Sequence, residues 1–359
     1  MEKILLVSTR VLHYRIRIYN YFYDEFKRRG IDFAVLTHSI QDVEDKPRFR
    51  VFVEKPSSRK FVDFIRQYRP DAVITYLNLS EKRIFPVIYY CKINNIPLVY
   101  WGHGINLLTP NHPVKNLIYR HLHRISDAII LYTSNELKYI RKRNHPKVFI
   151  ANNTLDFSNI EPRDKERDLA FVRERFSIRE KNIVLFVGRV TSVKRLDDLL
   201  GLFRDKDIAL VVVGPNIKPH QLEIIERVPN YYYVGAIYDD DEIQAIFNAS
   251  RFFSIPGNIG LGLNQAFFWS VPVVTLDGLN TPEIIYLDDG VNGYIVDRPE
   301  QIEEKILNAL ADEKLYRSMA INAKKTAETV AHISKMYQGF YDTIQYIHSR
   351  KSLPSEQTG

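Results

Sequence analysis

The chain has 359 residues, a formal net charge of +7 and 45% hydrophobic residues. This length is typical of two domains, and the apolar fraction allows each domain its own core. The single cysteine, Cys91, excludes an intrachain disulfide framework and fits a reducing compartment. The positive charge is compatible with nucleic acid, anionic lipid or acidic ligands, but no nucleic-acid-binding motif accompanies it. We therefore expect no nucleic-acid partner.

The first apolar run, residues 4–7, is shorter than the roughly 7–15 residues that a signal peptide needs. No apolar run reaches the roughly 18 residues of a membrane span. We therefore expect a cytoplasmic protein that is soluble or peripheral.

Short apolar runs alternate with helical patterns along the first half of the chain. The runs predict buried strands at residues 4–8, 33–37, 72–75, 98–101, 128–132 and 148–150, and the patterns between them predict helices at 16–29, 59–68 and 84–94. Repeated strand–helix units indicate a parallel sheet with helices on both faces.

A charged stretch at residues 156–181 interrupts this alternation and predicts a linker with one helix near 171–176. Strands are then predicted at 183–187, 208–213, 231–234, 252–255, 273–276 and 294–296. Two such series predict an α/β protein of two Rossmann-like domains, residues 1–157 and 158–333, that face a central cleft.

The last segment, residues 334–359, contains a helix with one apolar face. Tyr337, Phe340, Tyr341, Ile344 and Ile347 form that face. The helix either caps the second domain or crosses back to the first, and we predict the crossing.

A basic segment follows the strand at 183–187. Gly188 allows a ligand to approach the backbone, while Arg189 and Lys194 offer donors suited to phosphate. A helix is predicted at 196–203. The segment is either a phosphate site at the carboxyl end of a parallel strand or a solvated basic loop.

A glycine-rich segment, residues 256–266, follows the strand at 252–255. Its glycines are Gly257, Gly260 and Gly262, and a helix is predicted to begin near Leu263. Backbone N–H groups at such a helix entrance can hold an anion, although the same pattern also suits a flexible loop.

Taken together, these segments resemble the retaining glycosyltransferases of family four, which have the GT-B fold. The resemblance rests on Val187-Gly188-Arg189 with Lys194, and on residues 256–266, 271–275, 282–285 and 289–296 in that order. It implies metal-independent transfer, with retention, from a nucleoside diphosphate sugar. It also implies that Arg189 and Lys194 contact the diphosphate, and that the N–H groups of Gly260 and Leu261 contact phosphate or sugar oxygens.

The chain departs from this family at two positions. The family has two glutamates, one for the donor sugar and one for the ribose, where this sequence has Gly257 and Gln265. Gln265 can still accept a hydrogen bond from a ribose hydroxyl. A register shifted by two residues puts Ile259 and Phe267 there instead. Glu283 either contacts the donor or caps a helix.

Two segments of the first domain are candidates for the acceptor side. His103 lies between two glycines at the end of the strand at 98–101, and the family often has a histidine near the donor sugar. His103 can therefore assist the leaving group or bind a sugar hydroxyl, or it is structural. His13, Tyr14 and Arg15 follow the first strand and either meet an acceptor or its phosphate, or are solvated at a helix N-terminus.

Basic residues surround apolar ones in the first domain, which suits an anionic membrane surface as well as a solvated face. The basic residues are Lys115, Arg120, His121, His123 and Arg124, followed by Lys138, Arg141, Lys142 and Arg143. The family's frequent use of lipid-linked acceptors implies such a surface, together with a role in surface polysaccharide or lipopolysaccharide assembly.

Two other functions stay open. Sugar-nucleotide 2-epimerases share this fold and donor class, but they need acidic and basic groups, and the acids at 257 and 265 are absent. A non-catalytic protein that binds a nucleotide sugar or a partner transferase is the second alternative. The sequence predicts no cofactor and no metal, and it does not specify the donor sugar.

Overall fold

The computed structural model of the chain describes residues 2–41, 46–77, 79, 81–278 and 280–351. These residues form two compact units. The first unit comprises the described residues up to Ser158 and those from His332 onward, and the second comprises Asn159–Ala331. Each unit contains one parallel sheet with its own hydrophobic core. None of the described helices is long and apolar enough to cross a membrane.

The first sheet has seven parallel strands in the order β3-β2-β1-β4-β5-β6-β7. Its strands are β1 (Glu2–Val7), β2 (Ile31–Thr37), β3 (Arg50–Val53), β4 (Ala72–Tyr76), β5 (Leu98–Trp101), β6 (Ala128–Leu131) and β7 (Val148–Ile150). Central strands such as β5 and β6 are continuous apolar runs because both faces of the sheet are covered. The strand order reverses between β1 and β4, where such sheets bind ligands.

The second sheet has six parallel strands in the order β10-β9-β8-β11-β12-β13. Its strands are β8 (Asn182–Val187), β9 (Ile208–Val213), β10 (Tyr231–Gly235), β11 (Phe252–Ser254), β12 (Val273–Leu276) and β13 (Gly293–Val296). The strand order reverses between β8 and β11. The loops that follow these two strands contain the basic and the glycine-rich segments.

Eleven α-helices are present in the described residues. They are α1 (His13–Arg28), α2 (Ser58–Tyr68), α3 (Ile84–Ile93), α4 (Pro113–Ile125), α5 (Lys165–Phe176), α6 (Pro219–Arg227), α7 (Asp240–Ala249), α8 (Gly262–Phe268), α9 (Pro299–Ala311), α10 (Glu313–Thr329) and α11 (Ile333–Lys351).

The C-terminal helix α11 packs on the first sheet, against β6, β7 and α1. The ring centroids of Phe340 and Phe22 are 4.8 Å apart, and those of Phe340 and Trp101 are 5.0 Å apart. A Cβ atom at Gly339 would lie 2.3 Å from the carbonyl oxygen of Ile150, so glycine allows the helix to approach β7 closely. The apolar face seen in the sequence is therefore part of the first core.

The helix predicted at residues 196–203 is wrong. The structure has a short 3₁₀ turn, Leu196–Asp198, followed by irregular backbone. Arg195, Gly201 and Phe203 have φ angles of 58°, 153° and 63°, which a right-handed helix cannot contain. The apolar side chains of this segment are buried all the same, so their hydrophobicity reflects core packing and not a helical face.

Candidate active site

Two glycines bring the ends of neighbouring strands together in the second unit. Gly188 follows β8 with φ 150°, and Gly214 follows β9 with φ 143°. A Cβ atom at Gly214 would lie 2.1 Å from the Gly188 carbonyl oxygen, so no other residue fits there. The Gly188 N–H donates to the Val213 carbonyl at 2.9 Å. The carboxyl ends of β8 and β9 therefore present backbone atoms without side chains next to the basic segment.

Lys194 joins the two loops at the strand-order reversal. Its Nζ donates to the Asn258 carbonyl at 2.7 Å and to the Ile259 carbonyl at 3.2 Å. Burial lowers the pKa of Lys194 to about 8, and the charge of nearby Glu283 acts in the opposite direction. An ammonium has three donors, so one N–H of Lys194 is left for a ligand.

The glycine-rich loop is held by residues that follow β12. Asn280 accepts from the Ile259 N–H through Oδ1 at 3.1 Å, and Thr281 accepts from the Gly260 N–H through Oγ1 at 2.8 Å. The Gly260 N–H, predicted to meet phosphate or sugar, therefore already has a protein acceptor. The Leu261 N–H, at the start of α8, has no partner in the described residues.

The other predicted donor residues differ in exposure. Arg189 is exposed, and within the described part of the chain it has no hydrogen-bond or ion-pair partner. Gln265 lies half-buried on α8, and its amide has no partner among the described residues. Glu283 is buried in the first turn of a 3₁₀ helix, Pro282–Tyr286, where its charge acts on Lys194. Arg189, Lys194 and Gln265 therefore keep polar groups available.

The position of the missing first glutamate is closed by backbone. The Asn258 N–H donates to the Val193 carbonyl at 2.9 Å, and a Cβ atom at Gly257 would lie 2.0 Å from that same oxygen. In the shifted register, Ile259 and Phe267 are fully buried in the core. Neither Gly257 nor Ile259 leaves room for the carboxylate of the first acid, so its absence belongs to the packing of the loop.

The matching edge of the first sheet contains a buried arginine. Arg15 lies in the first turn of α1, and its Nη2 donates to the Tyr132 hydroxyl at 3.2 Å. Its guanidinium carbon lies 4.8 Å from the Trp101 ring centroid. Arg15 Nη1 and Trp101 Nε1 are buried without a hydrogen-bond partner in the described residues. The interpretation of residues 13–15 as a solvated helix start is therefore wrong for Arg15.

The two neighbours of Arg15 are less enclosed. His13 is exposed, and its Nδ1 lies 3.3 Å from Gln41 Oε1. The half-buried ring of Tyr14 lies 5.3 Å from the guanidinium carbon of Arg15. The loop therefore presents one exposed imidazole and one aromatic ring beside a buried cation.

His103 lies between β5 and α4 and is paired with a carboxylate. Its Nδ1 lies 2.6 Å from Oε1 of Glu136, and its ring stacks on Tyr132 with centroids 4.3 Å apart. Glu136 is 2% exposed, and its Oε2 accepts from the Thr133 N–H at 2.9 Å. When Glu136 accepts the Nδ1 proton, Nε2 is the atom left for a ligand. Because its side chain is 31% exposed, His103 is reachable.

Glu136 was not predicted from the sequence. Its signal was present, because Thr133 and Glu136 have the residue types and spacing of a capping box directly after the strand at 128–132, and the Glu136 half of it is formed. That pattern alone indicates only the start of a helical turn. The contact with His103 depends on the pairing of β5 with β6, which places the ends of these strands side by side.

The basic surface of the first unit is smaller than predicted. His123 is 1% exposed and packs edge-on to Tyr100, and burial lowers its pKa to about 3, so it carries no charge at neutral pH. Arg120, Arg124, Arg141, Lys142 and Arg143 are exposed. Val114 and Leu117 on α4 are also exposed, at 60% and 64%.

The described residues contain no group of three or more His, Cys, Asp or Glu side chains able to hold a metal ion. The polar groups of the candidate site in the second unit are instead two cations, Arg189 and Lys194, and the amide of Gln265. The first unit has aromatic rings and one histidine–carboxylate pair, His103 with Glu136. Such groups can bind an anion by hydrogen bonds and can exchange a proton at His103.

Solved structures of other proteins have a similar architecture. Anabaena Alr3699/HepE in complex with UDP and glucose is similar over 96% of this chain and 100% of that one, with a TM-score of 0.77 and 15% identity. The chain has a GT-B fold. This likeness concerns the fold, and the predicted fold class is confirmed.

The match to a sequence family lies within the second unit. Residues 170–326, less than half of the chain, match the family described as glycosyl transferases group 1. A GDP-mannose-dependent alpha-mannosyltransferase of Mycobacterium tuberculosis is 29% identical over 127 residues, 35% of this chain and 32% of that protein. An uncharacterized 41.2 kDa protein in the cps region of Klebsiella pneumoniae is 24% identical over 213 residues, 55% of this chain and 57% of that protein. The chain spans less than two thirds of these relatives.

Proposed function

We propose that this protein is a glycosyltransferase that moves a sugar from a nucleoside diphosphate sugar to an acceptor with retention at the anomeric carbon. The observation that carries the proposal is the contact of Lys194 with the glycine-rich loop at the strand-order reversal of the second sheet. It lies within the segment that matches group 1 glycosyl transferases. Bound UDP in a protein of the same fold adds support.

The diphosphate would bind to the second unit. Lys194 supplies one remaining N–H, Arg189 supplies an exposed guanidinium, and the free Leu261 N–H adds a backbone donor. Gln265 would accept from a ribose hydroxyl. Because the Lys194 ammonium is held by the glycine-rich loop and the Leu261 N–H belongs to the backbone, these two donors would stabilise the charge that develops on the leaving diphosphate. No step in this scheme requires a metal.

The acceptor would bind to the first unit. The Nε2 of His103 would hydrogen-bond a sugar hydroxyl or assist the leaving group, while Glu136 holds the ring. His13 and the half-buried ring of Tyr14 would contact the acceptor, and the buried Arg15, Tyr132 and Trp101 would support that surface from the core. Aromatic faces with few polar groups are typical of small-molecule sites. The paired carboxylates of a glycosidase have no counterpart in this arrangement.

The proposed setting is assembly of a surface polysaccharide or lipopolysaccharide on a lipid-linked acceptor. The exposed Val114 and Leu117 on α4, together with the exposed Arg141 and Lys142 of the same unit, support contact with an anionic membrane surface. The protein would then work as a peripheral enzyme on the inner face of the cell membrane.

The test begins with a panel of nucleotide sugars, including UDP- and GDP-linked hexoses. A donor at about 100 times its dissociation constant adds about 2.7 kcal/mol of stability, which a thermal melt detects. The stabilising donor is then incubated with a membrane extract, and release of nucleoside diphosphate is followed. Arg189→Ala should lower turnover at least about tenfold, because a hydrogen bond to a charged group contributes roughly 1.5–3 kcal/mol.

Three outcomes separate the candidate functions. A glycosylated product that keeps the anomeric configuration by NMR supports the proposal. A new sugar nucleotide formed without any acceptor indicates an epimerase. Binding without turnover in any extract indicates a non-catalytic protein, and unchanged turnover in Arg189→Ala removes Arg189 from the site.

A further inference from the structure

A basic pocket lies at the amino-terminal edge of the first sheet, the opposite end from His103 and Arg15. It has a volume of about 420 Å³, and its charged lining residues are Lys92, Arg124, Asp127, Lys147 and Arg350. Asp127 directly precedes β6, and Lys147 directly precedes β7. Helices α3, α4 and α11 each contribute a cation near their C-terminal ends. The proposed transfer reaction uses none of these residues.

The positive charge in this pocket exceeds the negative charge. Asp127 is the only carboxylate among the described lining residues, and Lys92 holds both of its oxygens at 2.9 and 3.0 Å. The Leu98 N–H donates to the same carboxylate at 2.8 Å. No ion pair joins Lys147, Arg124 or Arg350 to a described acid, so three cations remain unneutralised.

The three remaining cations make only neutral contacts. Lys147 Nζ donates to the Arg124 carbonyl at 3.2 Å and to the Ser126 carbonyl. Arg124 Nη2 lies 3.3 Å from His121 Nδ1, and Arg350 Nη1 donates to the Tyr346 hydroxyl at 3.1 Å. Each guanidinium has five N–H donors, so most of them are left for a ligand.

The cations of the pocket lie close enough to Lys147 to repel its charge. Lys147 is half-buried, and burial together with the charges of Lys92, Arg350 and Arg143 lowers its pKa, against the attraction of Asp127. Water alone can solvate a single arginine on a protein surface, so such a residue does not require an anion. Three cations around one concavity instead favour a multivalent anion, and guanidinium groups match phosphate oxygens.

We propose that this pocket binds a phosphate group, carried by a soluble phosphate ester or by an anionic lipid headgroup. The inference is independent of the proposed glycosyl transfer, because the pocket residues lie at the other end of the strands. One face of α4 carries Val114, Leu117, His121 and Arg124, passing from exposed apolar to basic residues toward the pocket. Tyr89 and Ile93 on α3 are exposed as well, at 45% and 79%. Apolar residues beside a phosphate pocket favour the lipid as its source.

The experiment compares four full-length proteins: the natural chain, Arg124→Ala, Arg350→Ala and Arg120→Ala. Arg120 is the matched control, because it is an exposed arginine of α4 that does not line the pocket. Lys147 is left unchanged, since its ammonium holds the carbonyls of Arg124 and Ser126 at the C-terminal end of α4. Thermal melts first establish that all four proteins are folded.

The soluble arm titrates inorganic phosphate by calorimetry. All four proteins share the same second unit, so differences between them report on the pocket. Arg124→Ala and Arg350→Ala should each bind at least about tenfold more weakly, and Arg120→Ala should bind as the natural chain does. Equal affinity in all four proteins overturns the proposal.

The membrane arm uses flotation with phosphatidylcholine vesicles, with and without phosphatidylglycerol. If Arg124→Ala and Arg350→Ala lose about tenfold more binding to the anionic vesicles than Arg120→Ala does, the pocket binds a lipid headgroup. Phosphate binding that depends on the pocket, with vesicle binding equal in all variants, assigns it to a soluble ester. If Arg120→Ala loses as much binding in both arms as Arg124→Ala and Arg350→Ala do, the effect of charge is diffuse and the proposal is overturned.

Discussion

The carboxyl edges of the two sheets have the same topology and different chemistry. Each edge lies where the strand order reverses, between β1 and β4 in one unit and between β8 and β11 in the other. In the second unit, glycine backbone and the ammonium of Lys194 form the edge. In the first unit, the rings of Trp101 and Tyr132 surround Arg15. Identical fold positions thus present backbone and an ammonium in one unit, and buried rings around a guanidinium in the other.

The half-buried Lys194 and the buried Arg15 at these edges also respond differently to pH. Lys194 has a pKa of about 8 because burial disfavours its charge, so its protonation changes just above neutral pH. Arg15 keeps its charge at every pH at which the protein is folded. The donor side should therefore depend on pH through Lys194, while the cation of the acceptor side should not.

The largest effect is expected for Lys194→Ala. This change removes the ammonium that ties two loops together and would meet the diphosphate, so turnover should fall by about 10²–10³-fold, as for loss of one preorganised donor. Nucleoside diphosphate release measures it. Lys181→Ala is the matched control, because this exposed lysine directly precedes β8 at the other end of the strand. Equal losses in both variants would contradict a site at the carboxyl edge.

The first unit is tested through His103 and Glu136. We expect His103→Ala to lower turnover by about 10²-fold, the lower end of general acid–base contributions. Glu136→Gln keeps an oxygen for the Thr133 N–H but lacks the negative charge that supports His103, so turnover should fall by about tenfold. Steady-state kinetics and a thermal melt of each variant provide the measurement. Full activity in Glu136→Gln would make Glu136 only a helix cap.

The pH dependence of nucleotide binding sharpens the contrast between the two units. The pKa of Lys194 is lowered to about 8, so the neutral amine prevails above that pH, whereas a diphosphate prefers the ammonium. Affinity for UDP or GDP should therefore be highest near neutral pH, where the ammonium prevails, and fall up to about tenfold per pH unit above pH 8. Calorimetry between pH 6.5 and about pH 9.5 measures this fall.

Lys194→Arg is the control for that pH dependence. A guanidinium stays protonated throughout the range, so the fall above pH 8 should disappear even if the absolute affinity is lower. A fall that persists in Lys194→Arg would assign the titration to another group.

The sequence could predict most of the strands because they are buried on both faces and appear as continuous apolar runs. Strands at 98–101, 148–150, 208–213 and 273–276 match the structure residue for residue. The edge strand β3 was not predicted, since Arg50–Val53 is short and half-exposed. The helix at 196–203 was wrongly predicted, because apolar residues at irregular backbone positions can mimic a helical face.

Position after a strand predicted only part of the candidate site, because Lys194 and Gln265 were assigned through the resemblance to the glycosyltransferase family. Gly188, Arg189 and His103 lie at strand ends, so topology alone gave them a role to test. The contact of Glu136 with His103 spans 33 positions and depends on which strands are neighbours. The two acceptors that hold the glycine-rich loop, Asn280 and Thr281, come from the loop after β12, and no local pattern indicates them.

The smallest effects on activity are expected at the two positions where the family's acids are missing, and they separate packing from ligand contact. A side chain at Gly257 meets the Val193 carbonyl, so Gly257→Ala should destabilise the protein by about 1–3 kcal/mol, the usual cost of overpacking.

Gln265→Glu changes a half-buried amide that has no partner in the described residues, so stability should change by less than about 0.5 kcal/mol. Its carboxylate accepts from a ribose hydroxyl as the amide does, so the KM for the donor should change only about twofold. Urea unfolding and donor kinetics on both variants test these expectations. Because the Val193 carbonyl occupies the space of the first acid, a stable Gly257→Ala would show that the loop moves, and the donor sugar would then have room for a contact that the present arrangement denies it.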